Sequence, residues 1–122
     1  MSIWSVAHPS TEPQTNLLRW RVMRVLDRHC CHLVGWAEEA REGRVSSPVV
    51  HWEARALQAV TESGRRYALV GPPGFDPDAT YVWTRWLRLN GSPSWKDETA
   101  AVLAMATSRN GGDDSAKEAD SE

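Results

Sequence analysis

The run His29-Cys30-Cys31-His32 gathers metal ligands and nucleophiles into four adjacent positions. Imidazole and thiolate are donors that zinc prefers, but structural zinc sites take paired cysteines from turns with roughly two to four residues between them. On a strand, neighbouring side chains point to opposite faces, so His29 could share an ion with Cys31 while Cys30 and His32 face away. A third ligand, such as His51, would have to come from another strand. The spacing therefore predicts thiols and imidazoles packed in a strand, with no metal bound. Adjacent cysteines are also badly placed for a disulfide with each other, and reduced thiols fit a cytoplasmic protein.

Ser46, Ser47 and Ser63 are the candidate nucleophiles, with His8, His29, His32 or His51 as bases. None of these serines sits in a nucleophile turn, and hydroxyls in strands and turns usually bond to nearby backbone. Gly71-Pro72-Pro73-Gly74 has the glycines of a phosphate loop, but its prolines remove the N–H donors a phosphate needs. No paired carboxylates stand at a catalytic spacing in the body of the chain. The expectation is a protein that binds rather than catalyses and needs no cofactor.

Binding has better material. Arg65-Arg66 fall at a hairpin tip, and Arg85 and Arg88 share a helix face with Tyr81 one turn before Arg85. Tyr81, Arg85, Arg88, Arg65 and Arg66 are the candidate binding residues. Seven tryptophans against two Tyr and one Phe exceed what a core of this size needs, which leaves one or two for a contact surface. The net charge of −2 conceals an uneven distribution, because the segment from Asp113 to Glu122 holds five acids and one lysine, a net of −4, and leaves the rest at +2. That mild surplus argues against a dedicated nucleic-acid binder. The leading expectation is a protein-interaction or inhibitor module. The alternative is a nucleic-acid-associated accessory protein using an arginine and aromatic surface. Partner identity and oligomeric state stay open.

These residues need a scaffold. At 122 residues the chain suits one domain. Residues 1–16, with Pro9 and Pro13 among small polar residues, read as an extended arm, 17–110 as the domain, and 111–122 as a disordered acidic tail. Leu17 to Leu26 fits a strand or a helix. Its alternation of Leu18, Trp20 and Val22 with Arg19 and Arg21 favours the strand, with a bulge near Met23 to keep Val25 inside.

Further strands are predicted over Arg28 to Trp36, Val45 to Trp52, Ala56 to Thr61 and Tyr67 to Val70, the last two joined by a turn at Gly64. About five strands make a curved antiparallel meander or a small, partly open barrel. Asp76 and Pro77 start a helix whose stripe of Ala79, Val82, Trp83, Trp86 and Leu89 runs to Asn90-Gly91, and both tryptophans should press near Val49, Leu57 and Leu69. A second helix is predicted from Ser94 to Asn110, the pair covering one face of an α+β fold. No stretch approaches the length of a membrane span.

The blocks RHCCHLVGW, GRVSSPVV, SGRRYALVGPPG and DATYVWTRW, in that order from Arg28 to Trp86, resemble small proteins found around bacterial mobile elements. The doubled Cys30-Cys31 departs from that pattern. The resemblance implies a bacterial origin and an accessory role, and carries over no activity and no site residue.

Overall fold

The computed structural model describes residues 14–108. Most of the proposed arm and all of the acidic tail lie outside them. The domain is α+β, a mostly antiparallel open sheet with two C-terminal helices. Its strands are β1 (Thr15–Val25), β2 (Cys30–Ala37), β3 (Glu42–Val45), β4 (Val49–Glu53), β5 (Gln58–Thr61), β6 (Arg66–Val70) and β7 (Trp95–Asp97), and its helices are α1 (Pro77–Leu89) and α2 (Thr99–Ser108). The order is β3-β2-β1-β6-β5-β4, with β7 beside β1.

Strand β1 organises the sheet. One edge pairs with β2 along most of its length. The other pairs first with β6, in parallel from Thr15↔Tyr67 to Leu18↔Val70, and then with β7, antiparallel from Met23↔Asp97 to Val25↔Trp95. Between the two, the Gly71 to Gly74 loop fills the gap, with the Trp20 indole donating to Gly71 O at 2.9 Å. Thr15 and Asn16, which the sequence reading put in the arm, therefore belong to the sheet.

The bulge in β1 lies at Arg19, four residues before the expected position near Met23. Arg19 adopts a left-handed φ of 46°, and the pairing with β2 shifts between Leu18↔Trp36 and Arg21↔Val34. The extra residue puts Leu17 and Trp20 on the same face although they are three apart. Past it, Val22 joins them while Met23 and Val25 turn to the other side, so β1 feeds two cores.

The helices cover opposite faces of the sheet, not the same one. One core joins Leu17, Trp20, Val22, Leu33, Ala59, Tyr67 and Leu69 to Val102 of α2. The other joins Met23, Val25 and Val34 to Ala79 and Trp83 of α1. Trp83 and Trp86 thus pack toward Val34 and Val45, whereas Val49, Leu57 and Leu69 lie on the α2 side. A strand buried on both faces reads as a near-continuous apolar run, as Val22, Met23 and Val25 do.

Helix α1 starts as its sequence dictates. The Asp76 side chain accepts from Ala79 N at 2.9 Å, and Pro77 takes the first turn, where its missing N–H costs nothing. The first turn lies directly on β3, where a Cβ at Gly43 would stand 2.4 Å from Ala79 N. The second helix begins five residues later than Ser94 predicts. Trp95–Asp97 pair with β1 instead, because the backbone groups of that buried edge need partners that only a strand supplies. Glu98 N then donates to Val22 O at 2.7 Å, and Asp97 Oδ1 accepts from Thr99 N at 2.8 Å to open α2.

Val45 and Val49–Trp52 are not one strand either. Ser46-Ser47-Pro48 carries the chain from β3 at one edge of the sheet to β4 at the other. Ser46 N donates to Leu33 O at 2.9 Å, and Pro48 O accepts from Glu62 N at 2.8 Å. This bends the sheet without closing it into a barrel.

Candidate functional site

Two places gather functional side chains. The first is the end of the molecule where the β1–β2 connection, the C-terminus of α1 and β7 meet. Leu26 N donates to Ser94 O at 2.8 Å, and the Arg28 guanidinium donates to Asn90 Oδ1 and Asn90 O, both at 3.1 Å. A cation held at the C-terminal carbonyls of α1 also meets the negative end of the helix dipole. From there Arg28 lies over the Trp86 ring, 5.7 Å from its centroid. Trp86 stacks on Trp83 at 5.3 Å and 10°, and Trp95 meets Trp83 edge-on at 5.4 Å and 89°.

This aromatic pole runs from the core to the surface. Trp83 is buried, Trp86 half-buried, and Trp95 is 41% exposed beside exposed Leu26. Leu89, one turn beyond Trp86, is 73% exposed. The Trp83 Nε1 is a buried donor without a hydrogen-bond partner among the described residues, an arrangement that costs about 1–3 kcal/mol unless the surrounding rings offset it.

His32 lies beneath the pole, 4.6 Å from Trp86 between ring centroids. Its Nδ1 is 2.7 Å from Ser46 O, which can only accept, so Nδ1 carries the proton and Nε2 presents a lone pair to Cys30 Sγ at 3.6 Å. Nucleophile, base and orienting carbonyl are in sequence, yet both groups are held neutral. Burial pushes the His32 imidazole below its ordinary pKa and the Cys30 thiol above its own. A thiol in that state is a poor nucleophile near neutral pH. Cys31 points to the α2 face and is buried, and His29 sits outside β2 with a left-handed φ of 53°. The four adjacent residues thus point into three environments, and among the described residues no cluster of three or more metal ligands forms.

The second place is a cleft of about 380 Å³ between β3 and the β5–β6 hairpin. Arg44, Ser47 and Glu42 line one wall, Ser63, Arg65 and Tyr67 the other, and Val82 of α1 reaches it. Burial opposes the Arg44 charge, but hydrogen bonding to Glu42 and Tyr67 outweighs it and raises the pKa of this guanidinium further.

The sequence-derived candidates are split between locations. Tyr81, Arg85 and Arg88 lie exposed along the outer side of α1, a stripe leading toward the pole, with Tyr81 62% exposed. Arg65 is in the cleft wall, while Arg66 is exposed and outside the cleft lining. Arg28, Trp86 and Trp95 were missed as a group. Their contacts join positions far apart in the chain, and only the expected surplus of tryptophan hinted at them. Comparison with protein-family models, with characterised proteins and with solved structures finds no match to this chain.

Proposed function

We propose that this chain is a non-enzymatic binding module that recognises a partner protein through the aromatic pole and the adjoining outer side of α1. The observation that carries this reading is the Trp83–Trp86–Trp95 cluster, which emerges at the surface under Arg28 and beside Leu26 and Leu89. Single exposed apolar residues are ordinary, but tryptophan and arginine held rigidly together are the composition of binding hot spots. Tyr81, Arg85 and Arg88 extend the contact along the helix. An accessory role in a bacterial mobile element, supported by the resemblance of the Arg28 to Trp86 blocks, belongs to the same proposal. So does a cytoplasmic location, supported by the free thiols of Cys30 and Cys31. Among the described residues no helix is long and apolar enough to cross a membrane.

The test compares the full chain with a Trp95→Ser/Leu89→Ser variant, both immobilised and exposed to bacterial lysate. A defined protein retained by the first and lost by the second supports the proposal. Equal retention overturns it, and salt-dependent capture of labelled DNA or RNA by the unsubstituted chain would move the reading to nucleic acid.

A further inference from the structure

Four arginines of the sheet have a carboxylate partner: Arg19 has Asp76, Arg21 has Asp97, Arg24 has Glu98 and Arg44 has Glu42. Arg85 and Arg88 on α1 differ, for both are exposed and neither forms an ion pair or a side-chain hydrogen bond among the described residues. Tyr81 stands one turn before Arg85 and Leu89 one turn after it, so with Arg88 these side chains share one stripe of the helix. Arg28 continues the row at the end of α1. Its bonds go to the neutral Asn90, which leaves its charge without a counterion among the described residues. The carboxylate next to it in the chain, Asp27, already accepts from Ser94 N at 3.2 Å, and Asp78 lies two turns before Arg85 in the first turn of α1. Beside this row of cations, Leu26, Leu89 and Trp95 are exposed.

We propose that the partner segment seated on α1 and the pole is acidic, with apolar side chains among its carboxylates, a proposal that rests on the pole being a contact surface. Guanidiniums meet carboxylates in paired hydrogen bonds, and a row of them suits a segment with several acids rather than a ligand with one. Exposed ion pairs add little affinity singly. The apolar contacts with Leu26, Leu89 and Trp95 therefore hold the segment, while the arginines select its charge and speed its approach. A nucleic-acid strand stacks its bases on flat rings and would gain little from the aliphatic Leu26 and Leu89.

The experiment selects binders of the full 122-residue chain from a displayed library of random peptides and measures the affinity of the enriched ones. Enriched peptides should combine Asp or Glu with Leu, Phe or Trp. Arg85→Glu/Arg88→Glu should weaken their binding at least tenfold at an unchanged melting temperature, and added salt should weaken it as well. Arg55→Glu, an exposed arginine away from α1, should leave it unchanged. The same peptides with their acids changed to lysine should prefer the Arg85→Glu/Arg88→Glu variant to the parent. Should that variant not fold, Arg85→Gln/Arg88→Gln takes its place. Enriched peptides that are neutral or basic, or acidic ones indifferent to Arg85→Glu/Arg88→Glu, overturn the proposal, as does the absence of any enriched peptide. Labelled single-stranded DNA bound more tightly than any peptide, and released by the same variant, also overturns it. Loss of non-acidic peptides on Trp95→Ser/Leu89→Ser would leave the pole a contact surface while its acidic partner fails. Peptides indifferent to Trp95→Ser/Leu89→Ser would instead remove the contact surface itself.

Discussion

Arg19 and Asp76, 57 residues apart in the chain, meet at 3.0 Å between Nε and Oδ1, and the same carboxylate caps α1 through its other oxygen. One buried side chain thereby touches both the bulge that divides β1 between two cores and the first turn of the helix lying on one of them. The Asp76 side chain is only 6% exposed, whereas that of Arg19 is 48% exposed. The two partners should therefore differ greatly in worth. Asp76→Ala should cost about 1–2 kcal/mol because it removes the helix cap, while Arg19→Ala should cost under about 1 kcal/mol. Denaturant midpoints of the two variants check this, and equal losses would show that the bulge depends on the ion pair.

Gly43 is where β3 and the first turn of α1 come closest. A Cβ there would lie 2.4 Å from the backbone of Asp78 and Ala79, and backbone cannot swing aside as a long side chain can. Gly43→Ala should destabilise by about 1–3 kcal/mol or more, equivalent to a melting temperature lower by roughly 3–15 °C. Gly64→Ala meets no neighbour, and its cost should arise only from the positive φ of 90°. A melting curve for Gly43→Ala that overlays the parent would mean that α1 can slide on β3.

His32 makes stability depend on pH. Burial lowers its pKa below the ordinary 6.5, so the unfolded chain takes up a proton at a higher pH than the folded one. Its neutral form contributes fully above about 6.5, and stability should fall as pH drops from there toward the lowered folded value. Protonation would also end the acceptance from Cys30 Sγ that Nε2 makes at 3.6 Å. His32→Asn should be less stable overall but lack this slope below about pH 6.5. An equal slope in the variant would assign the effect to other groups.

The features readable from sequence were those set by local chemistry. Asp76-Pro77 announced α1, Gly64 the last hairpin, and the alternation of Leu18, Trp20 and Val22 with arginine the strand character of β1. The bulge was misplaced because any shift between Leu18 and Val25 restores an inward Val25, and only pairing with β2 decides which residue absorbs it. The helix expected at Ser94 lost its first residues to a demand made by β1, more than 70 positions earlier in the sequence. The two-sided sheet follows from the same cause, since a parallel neighbour such as β6 cannot be told from an antiparallel one by periodicity. The candidate site was half visible. Tyr81, Arg85 and Arg88 follow from helix spacing, but the pole required Arg28, Trp86 and Trp95 to meet across three segments.

The tryptophans of the pole should separate stability from binding. Trp83 is 3% exposed between Val34, Ala79 and the rings of Trp86 and Trp95, so Trp83→Ala would open a large cavity. The expected cost is about 3–5 kcal/mol, a large part of the stability of a domain of this size. Trp86 was expected to be an equal member of the apolar stripe, but it is half-buried with Arg28 above it, and its replacement by Ala should cost less than that of Trp83. Trp95→Ala removes a ring that is 41% exposed, and Arg88→Ala a solvated side chain, so both should leave the melting temperature within a few degrees of the parent. If the pole is the contact surface, Trp95→Ala and Arg28→Ala should nonetheless weaken partner binding at least tenfold. Unfolding by Trp95→Ala would instead make Trp95 a core residue that happens to reach the surface, and the pole would then owe its aromatic content to packing alone.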